Sequence, residues 1–108
     1  MTTVTFEIAD GKYHLEVSGH AGAGVEGNDL VCAAISSFVH QWMATLDVYA
    51  DYISNRDETY QKGFYCSEFE CLREHQEQVA LLISPILIGF RMTADNYPEY
   101  VCFGHKDR

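Results

Sequence analysis

Val4, Phe6 and Ile8 alternate with polar residues along the first segment, and Tyr13, Leu15 and Val17 alternate along the next. Strict alternation puts one face of a strand in a core and the other in water. Asp10-Gly11 stands between the two runs, and an Asp-Gly pair accepts the positive φ angles of a tight hairpin turn. The pattern predicts an antiparallel hairpin over residues 2–9 and 12–18. From Leu30 to about Ile53 the period changes. Val31, Ile35, Phe38, Trp42, Leu46, Tyr49 and Ile53 recur every three or four residues, which predicts a long amphipathic helix. Asn55 to Thr59 reads as a polar connection. Tyr60, Phe64, Tyr65, Phe69 and Leu72 predict a second hairpin across residues 60–72, turning near Lys62-Gly63 or near Ser67.

Residues 74–95 form a second apolar periodic segment, opened by Glu74 and Glu77, which suit the positive end of a helix. Pro85 lies inside it, where proline removes a backbone hydrogen bond and disfavours a helix by about 3 kcal/mol. Either the helix kinks at Pro85, or Val79–Ile83 is a strand that precedes a shorter helix. The length of the segment favours the kinked helix. Asn96 to Pro98 ends it. Tyr100 to Phe103 reads as a last short strand, and residues 104–108 as a polar tail. The order ββ-α-β(β)-α-β predicts an α+β fold. It has a small antiparallel or mixed sheet of four to five strands, with two long helices covering one face.

Composition narrows the class. A chain of 108 residues, 47% hydrophobic, fits one domain over residues 1–108 and is not the composition of a disordered chain. Seven Lys and Arg against 16 Asp and Glu give a formal charge of −9. Phosphate contacts ask for cations, so no direct nucleic-acid partner is expected. An acidic surface suits a basic partner instead. The first residues carry neither a basic cluster nor an apolar run, so no leader is expected. The apolar stretch Val79–Phe90 is too short to cross a bilayer. A soluble cytoplasmic protein with no membrane partner is the expectation.

The four cysteines are Cys32, Cys66, Cys71 and Cys102, and no two have the gap of a zinc knuckle or redox motif. In a reducing compartment they stay thiols. His14, His40, His75 and His105 show no metal-ligand spacing, so neither metal nor cofactor is expected. Cys66, Cys71 and Cys102 read as packing residues.

Candidate chemistry gathers where the second strand meets the first helix. Residues 19–29 read Gly-His-Ala-Gly-Ala-Gly-Val-Glu-Gly-Asn-Asp. Gly19, Gly22, Gly24 and Gly27 predict a loop able to take positive φ and to move. Asp29 is a good N-cap for a helix starting at Leu30, which puts Cys32 in the first helical turn. A free thiol of pKa about 8.5 is only about 3% ionised at neutral pH, and making the thiolate the major form takes ~2.7 kcal/mol. A helix terminus supplies ~0.3–1 kcal/mol, at best ~2. A cationic partner is therefore needed, and His20 is the candidate. Asp29 could instead hold the imidazole in its productive tautomer. A cysteine at a helix start is also commonly a small packed residue, so residue chemistry alone leaves both readings open. Gly22-Ala-Gly24-Val-Glu-Gly27 matches the dinucleotide-binding fingerprint. It follows the second arm of a hairpin rather than the first strand of a βαβ unit, and the chain is too short for such a domain.

Ser18-Gly-His-Ala-Gly, followed by Gly27-Asn-Asp-Leu-Val-Cys-Ala-Ala-Ile-Ser37, resembles the Prp family of ribosomal-processing cysteine proteases. Asn96-Tyr-Pro-Glu-Tyr-Val101 is similar to the family's ending. The resemblance implies a small α+β homodimer and a cysteine endopeptidase with a Cys–His dyad. By motif position the nucleophile is Cys32, the histidine is His20, and the family's loop aspartate falls on Asp29. The implied substrate is the precursor of a large-subunit ribosomal protein, L twenty-seven, which loses a short N-terminal extension. The glycine loop is implied to be flexible and to order on the peptide. Pro85 is not expected of the family. Two other classes compete: a non-catalytic ribosome-assembly binding protein using the same groove, and a thiol redox or acyl-transfer enzyme using Cys32.

Overall fold

The structure, a computed structural model, describes residues 1–19 and 26–107. The first hairpin forms as the pattern predicts, with β1 over Thr2–Ala9 and β2 over Lys12–Ser18. Asp10 and Gly11 take φ of 51° and 78°, the positive angles that let a two-residue turn follow the twist of the strands. A long helix, α1, covers Glu26–Val48. β3 (Ile53–Gln61) and β4 (Phe64–Cys71) make the second hairpin, turning at Lys62-Gly63, with Gly63 at φ 78°. The second helix, α2, runs Gln76–Asn96, and β5 (Val101–Asp107) closes the chain.

The five strands lie in the order β3-β4-β2-β1-β5. All pairs are antiparallel except β1 with β5. Val4, Phe6, Leu15, Val17, Tyr65, Phe69 and Val101 point to one face, where Trp42 of α1 and Phe90 of α2 meet them, all buried. The other face is polar, carrying Thr3, Glu7, His14, Glu16, Cys66 and Glu68. The helices touch through the Phe38 and Phe90 rings, 5.5 Å apart. Gly89 makes that approach possible, because a Cβ there would run into the Phe38 ring.

Four expectations are corrected. The first helix begins at Glu26 rather than Leu30, with Glu26 at its positive end. It also stops at Val48, short of Ile53, which opens β3. Asn55–Thr59 is strand, not connection. Asn55 takes φ 52°, and the β3–β4 register shifts between Ser54 and Asp57, which breaks the alternation that would mark a strand. The last strand continues to Asp107 through residues read as a polar tail, since pairing with β1 needs only backbone groups.

Pro85 sits inside one continuous helix, not at a strand–helix junction. Counted from Arg73, that helical segment is long and apolar enough to cross a membrane by length and composition, unlike the shorter stretch weighed in the sequence. Here Val79, Ile83, Ile86 and Phe90 bury one stripe of it in the core.

Candidate active site

A cleft of about 280 Å³ opens at the end of the sheet where β1 begins and β2 stops. α1 forms one wall through Cys32, Ile35, Ser36 and Val39, and the β3–β4 turn forms the other through Tyr60 to Tyr65. Cys32 is half-buried and packs against the core. Ile35 and Val39 lie three and seven residues further on, so they share its helix face, and both are buried. The thiol is thereby held on a rigid wall with one side open to the cleft.

Gly19 lines the same cleft, opposite α1. Its φ is 91°, and a Cβ there would collide with the Met1 carbonyl. Only glycine fits both constraints. Its N–H donates to the Gly63 carbonyl at 2.9 Å. The residue before His20 is thus tied to the β3–β4 turn, across the cleft from Cys32. His20, Gly22 and Gly24 themselves lie outside the described residues.

The position of Cys32 in α1 differs from the sequence expectation. With the helix starting at Glu26, Cys32 is in the second turn. Asp29 is inside the helix and is not its N-cap, and its side chain lies outside the described set. Gly27 is in the first helical turn rather than in a loop. The unpaired N–H groups of a helix lie in its first turn, here no further along than residue 28. The dipole's effect also fades within the first turn. Cys32 therefore gains little thiolate stabilisation from the helix terminus.

The remaining cysteines sit elsewhere. Cys71 packs against the core as expected, whereas Cys102, expected to pack, is exposed on β5. Burial pushes the Cys71 thiol up. Burial, then the Glu16, Glu68 and Asp57 carboxylates, push the Cys66 thiol up. Both are held in the protonated form that does not attack carbonyls.

Beneath the cleft the core is braced by polar contacts that periodicity could not show. The Trp42 indole N–H donates to Ser67 Oγ at 3.1 Å, and both residues are fully buried. Arg56 on β3 reaches Asp47 near the end of α1 and Glu58 on its own strand, each at 2.7 Å. The Tyr65 hydroxyl donates to Glu58 in turn. Burial, then that hydrogen bond, raise the Tyr65 phenol far above its ordinary range.

The model of the family described as cysteine protease Prp matches residues 1–102. Solved structures share the fold. SMU.848 from Streptococcus mutans is 31% identical with a TM-score of 0.76, over 100% of this chain and 96% of that one. The essential ribosomal processing protease Prp from S. aureus, in complex with a substrate peptide, is 20% identical with a TM-score of 0.71, over 98% and 100%. The same protease with a covalently linked product peptide gives 21% and 0.70, over the same shares. No curated protein matches the chain.

Proposed function

Because this chain belongs to the Prp family of cysteine proteases, we propose that Cys32 and His20 are its catalytic dyad and that its substrate is the precursor of large-subunit ribosomal protein L twenty-seven. The reaction removes the precursor's N-terminal extension during ribosome maturation. One observation carries the assignment of the dyad: Cys32 and Gly19, the residue before His20, line the same cleft. No cofactor takes part.

His20 accepts the Cys32 thiol proton, and the thiolate attacks the scissile carbonyl. The imidazolium then gives that proton to the leaving amine, and the new N-terminus departs. The N-terminal extension stays on Cys32 as a thioester. Water, losing a proton to His20, hydrolyses the thioester and returns the free thiol. Asp29, one helical turn before Cys32, orients the imidazole. Gly19 sets the direction in which the chain leaves β2 toward His20, and on the family resemblance Gly22 and Gly24 let the segment adapt to peptide. The S. aureus protease with peptide is the model for a peptide ligand here.

The protein acts in the cytoplasm, where thiols persist, as a homodimer. Leu81, Pro85, Ile88 and Met92 form an exposed stripe along the outer face of α2. Burying that apolar stripe against a second copy supports the dimer. The net charge of −9 favours a basic protein substrate over nucleic acid, and membrane binding is not part of the reading.

The test is incubation of the precursor with the wild-type chain, Cys32→Ala and His20→Ala. Cleavage by the wild type alone, near the precursor's N-terminus, is expected. Binding without cleavage by all three would make the chain a non-catalytic assembly protein.

A further inference from the structure

Linear spacing gives no metal motif, yet the pairing of β2 with β4 brings distant donors together on the polar face of the sheet. Glu16 lies directly across from Cys66, and His14 directly across from Glu68. His14 Nε2 is 4.0 Å from Cys66 Sγ and 3.7 Å from Glu16 Oε1. Its other nitrogen, Nδ1, is 2.9 Å from Glu68 Oε1. One donor atom each from His14, Cys66 and Glu68 lies within 4.8 Å of the others. This cluster is behind the sheet from the Cys32 cleft: Tyr65 lines that cleft, and the next residue, Cys66, points the opposite way.

We propose that His14, Cys66 and Glu16, with Glu68 behind the imidazole, form a binding site for a zinc-class divalent metal ion. Nitrogen, thiolate and carboxylate are the donors zinc takes. Bonds of ~2.0–2.3 Å at tetrahedral angles put ligand atoms about 3.3–3.6 Å apart, so His14 Nε2 needs to close on Cys66 Sγ and on Glu16 Oε1 by only a few tenths of an ångström. Glu68 occupies the position that fixes a ligating histidine. By accepting from Nδ1–H it leaves the Nε2 lone pair for the metal and raises the ring's basicity. Strand pairing holds the three ligand-bearing backbones before any ion arrives, so little ordering is needed on binding. The acid–base balance is simple: Cys66 releases its thiol proton to solvent, and the thiolate and the Glu16 carboxylate neutralise the dication. A cleft of about 330 Å³ is lined by His14 and Glu68 on the far side of the imidazole, and the ligand atoms themselves stand on the solvent-facing side of the sheet, where water can take the fourth position. The role that fits is structural: the ion would clamp β2 to β4 a few residues before β2 reaches Gly19.

The test uses cobalt(II) as the probe, on the full-length Cys32→Ser chain so that the cleft thiol contributes nothing. One cobalt per chain is expected, with thiolate-to-cobalt absorption in the near ultraviolet and the visible bands of tetrahedral cobalt, both bleached by zinc. Cys66→Ser removes the thiolate band. His14→Gln and Glu68→Gln each weaken cobalt binding by ~10–100-fold. Glu68 is exposed, so its variant carries the test even if Cys66→Ser fails to fold. Absence of the bands from the Cys32→Ser chain, their survival in Cys66→Ser, or unchanged affinity in both His14→Gln and Glu68→Gln would overturn the site.

Discussion

Gly19 shows how one residue can serve chemistry without taking part in it. Its positive φ and its contact with Met1 set where the chain goes after β2, and the next residue is His20. Gly19→Ala meets both a strained backbone and a clash, each a known source of loss of ~1–3 kcal/mol. We expect a lower thermal midpoint together with a drop in kcat/KM larger than the unfolded fraction explains. Equal kcat/KM per folded molecule would show that Gly19 matters only to stability. Ser67 is the comparable residue in the core. Ser67→Ala strands the buried Trp42 N–H, which costs ~1–3 kcal/mol. At the usual urea dependence of a small domain this lowers the unfolding midpoint by roughly 1 M. An unchanged midpoint would mean the indole finds another acceptor.

At the scale of elements, the first hairpin was legible to the residue because two signals agreed: alternation of Val4, Phe6, Ile8, Tyr13, Leu15 and Val17, and the Asp10-Gly11 turn. The helices were legible in kind but not in extent. Ile53 continues the helical period of α1 by coincidence; it is partly buried because β3 starts there. β3 itself was hidden because it is an edge strand, and edge strands carry polar residues that discourage pairing with other chains. The bulge at Asn55 then removed what alternation remained. β5 was half visible for the same reason. The resemblance carried the dyad further than spacing could, while the start of α1 moved Cys32 out of the first turn. Pairing of β2 with β4 was beyond any local pattern, and it is what joins His14 to Cys66.

The Arg56–Glu58–Tyr65 and Cys71 contacts lead to a prediction at the same scale. Tyr65 and Cys71 are both raised in the folded chain. A raised acid lends stability that is complete below its unfolded pKa and is lost as pH climbs through the folded one. Unfolding free energy measured by urea is therefore expected to fall above about pH 8.5, where free thiols and then phenols ionise in the unfolded chain. Tyr65→Phe removes the phenol's part of that slope. A flat profile between neutral pH and pH 10.5 would contradict the assignment.

For the whole molecule, the proposed dimer places its interface on the outer stripe of α2. Leu81, Ile88 and Met92 are 75%, 59% and 56% exposed in the single chain and lie on one face of α2, a contiguous apolar stripe. Ile88→Glu puts a charge in the middle of the stripe. Sedimentation is expected to give a dimer for the wild type and a monomer for the variant, with far-ultraviolet dichroism unchanged. A wild-type monomer would leave the stripe to another partner.

A cysteine nucleophile at Cys32 becomes covalently acylated during peptide hydrolysis. The direct measurement is intact-mass analysis of the chain after rapid acid quenching with the ribosomal-protein precursor. A transient adduct equal to the N-terminal extension, mapped to Cys32, is expected alongside the shortened precursor, and neither with Cys32→Ala. Cleavage that persists in Cys32→Ala, or an adduct on a different cysteine, would contradict it.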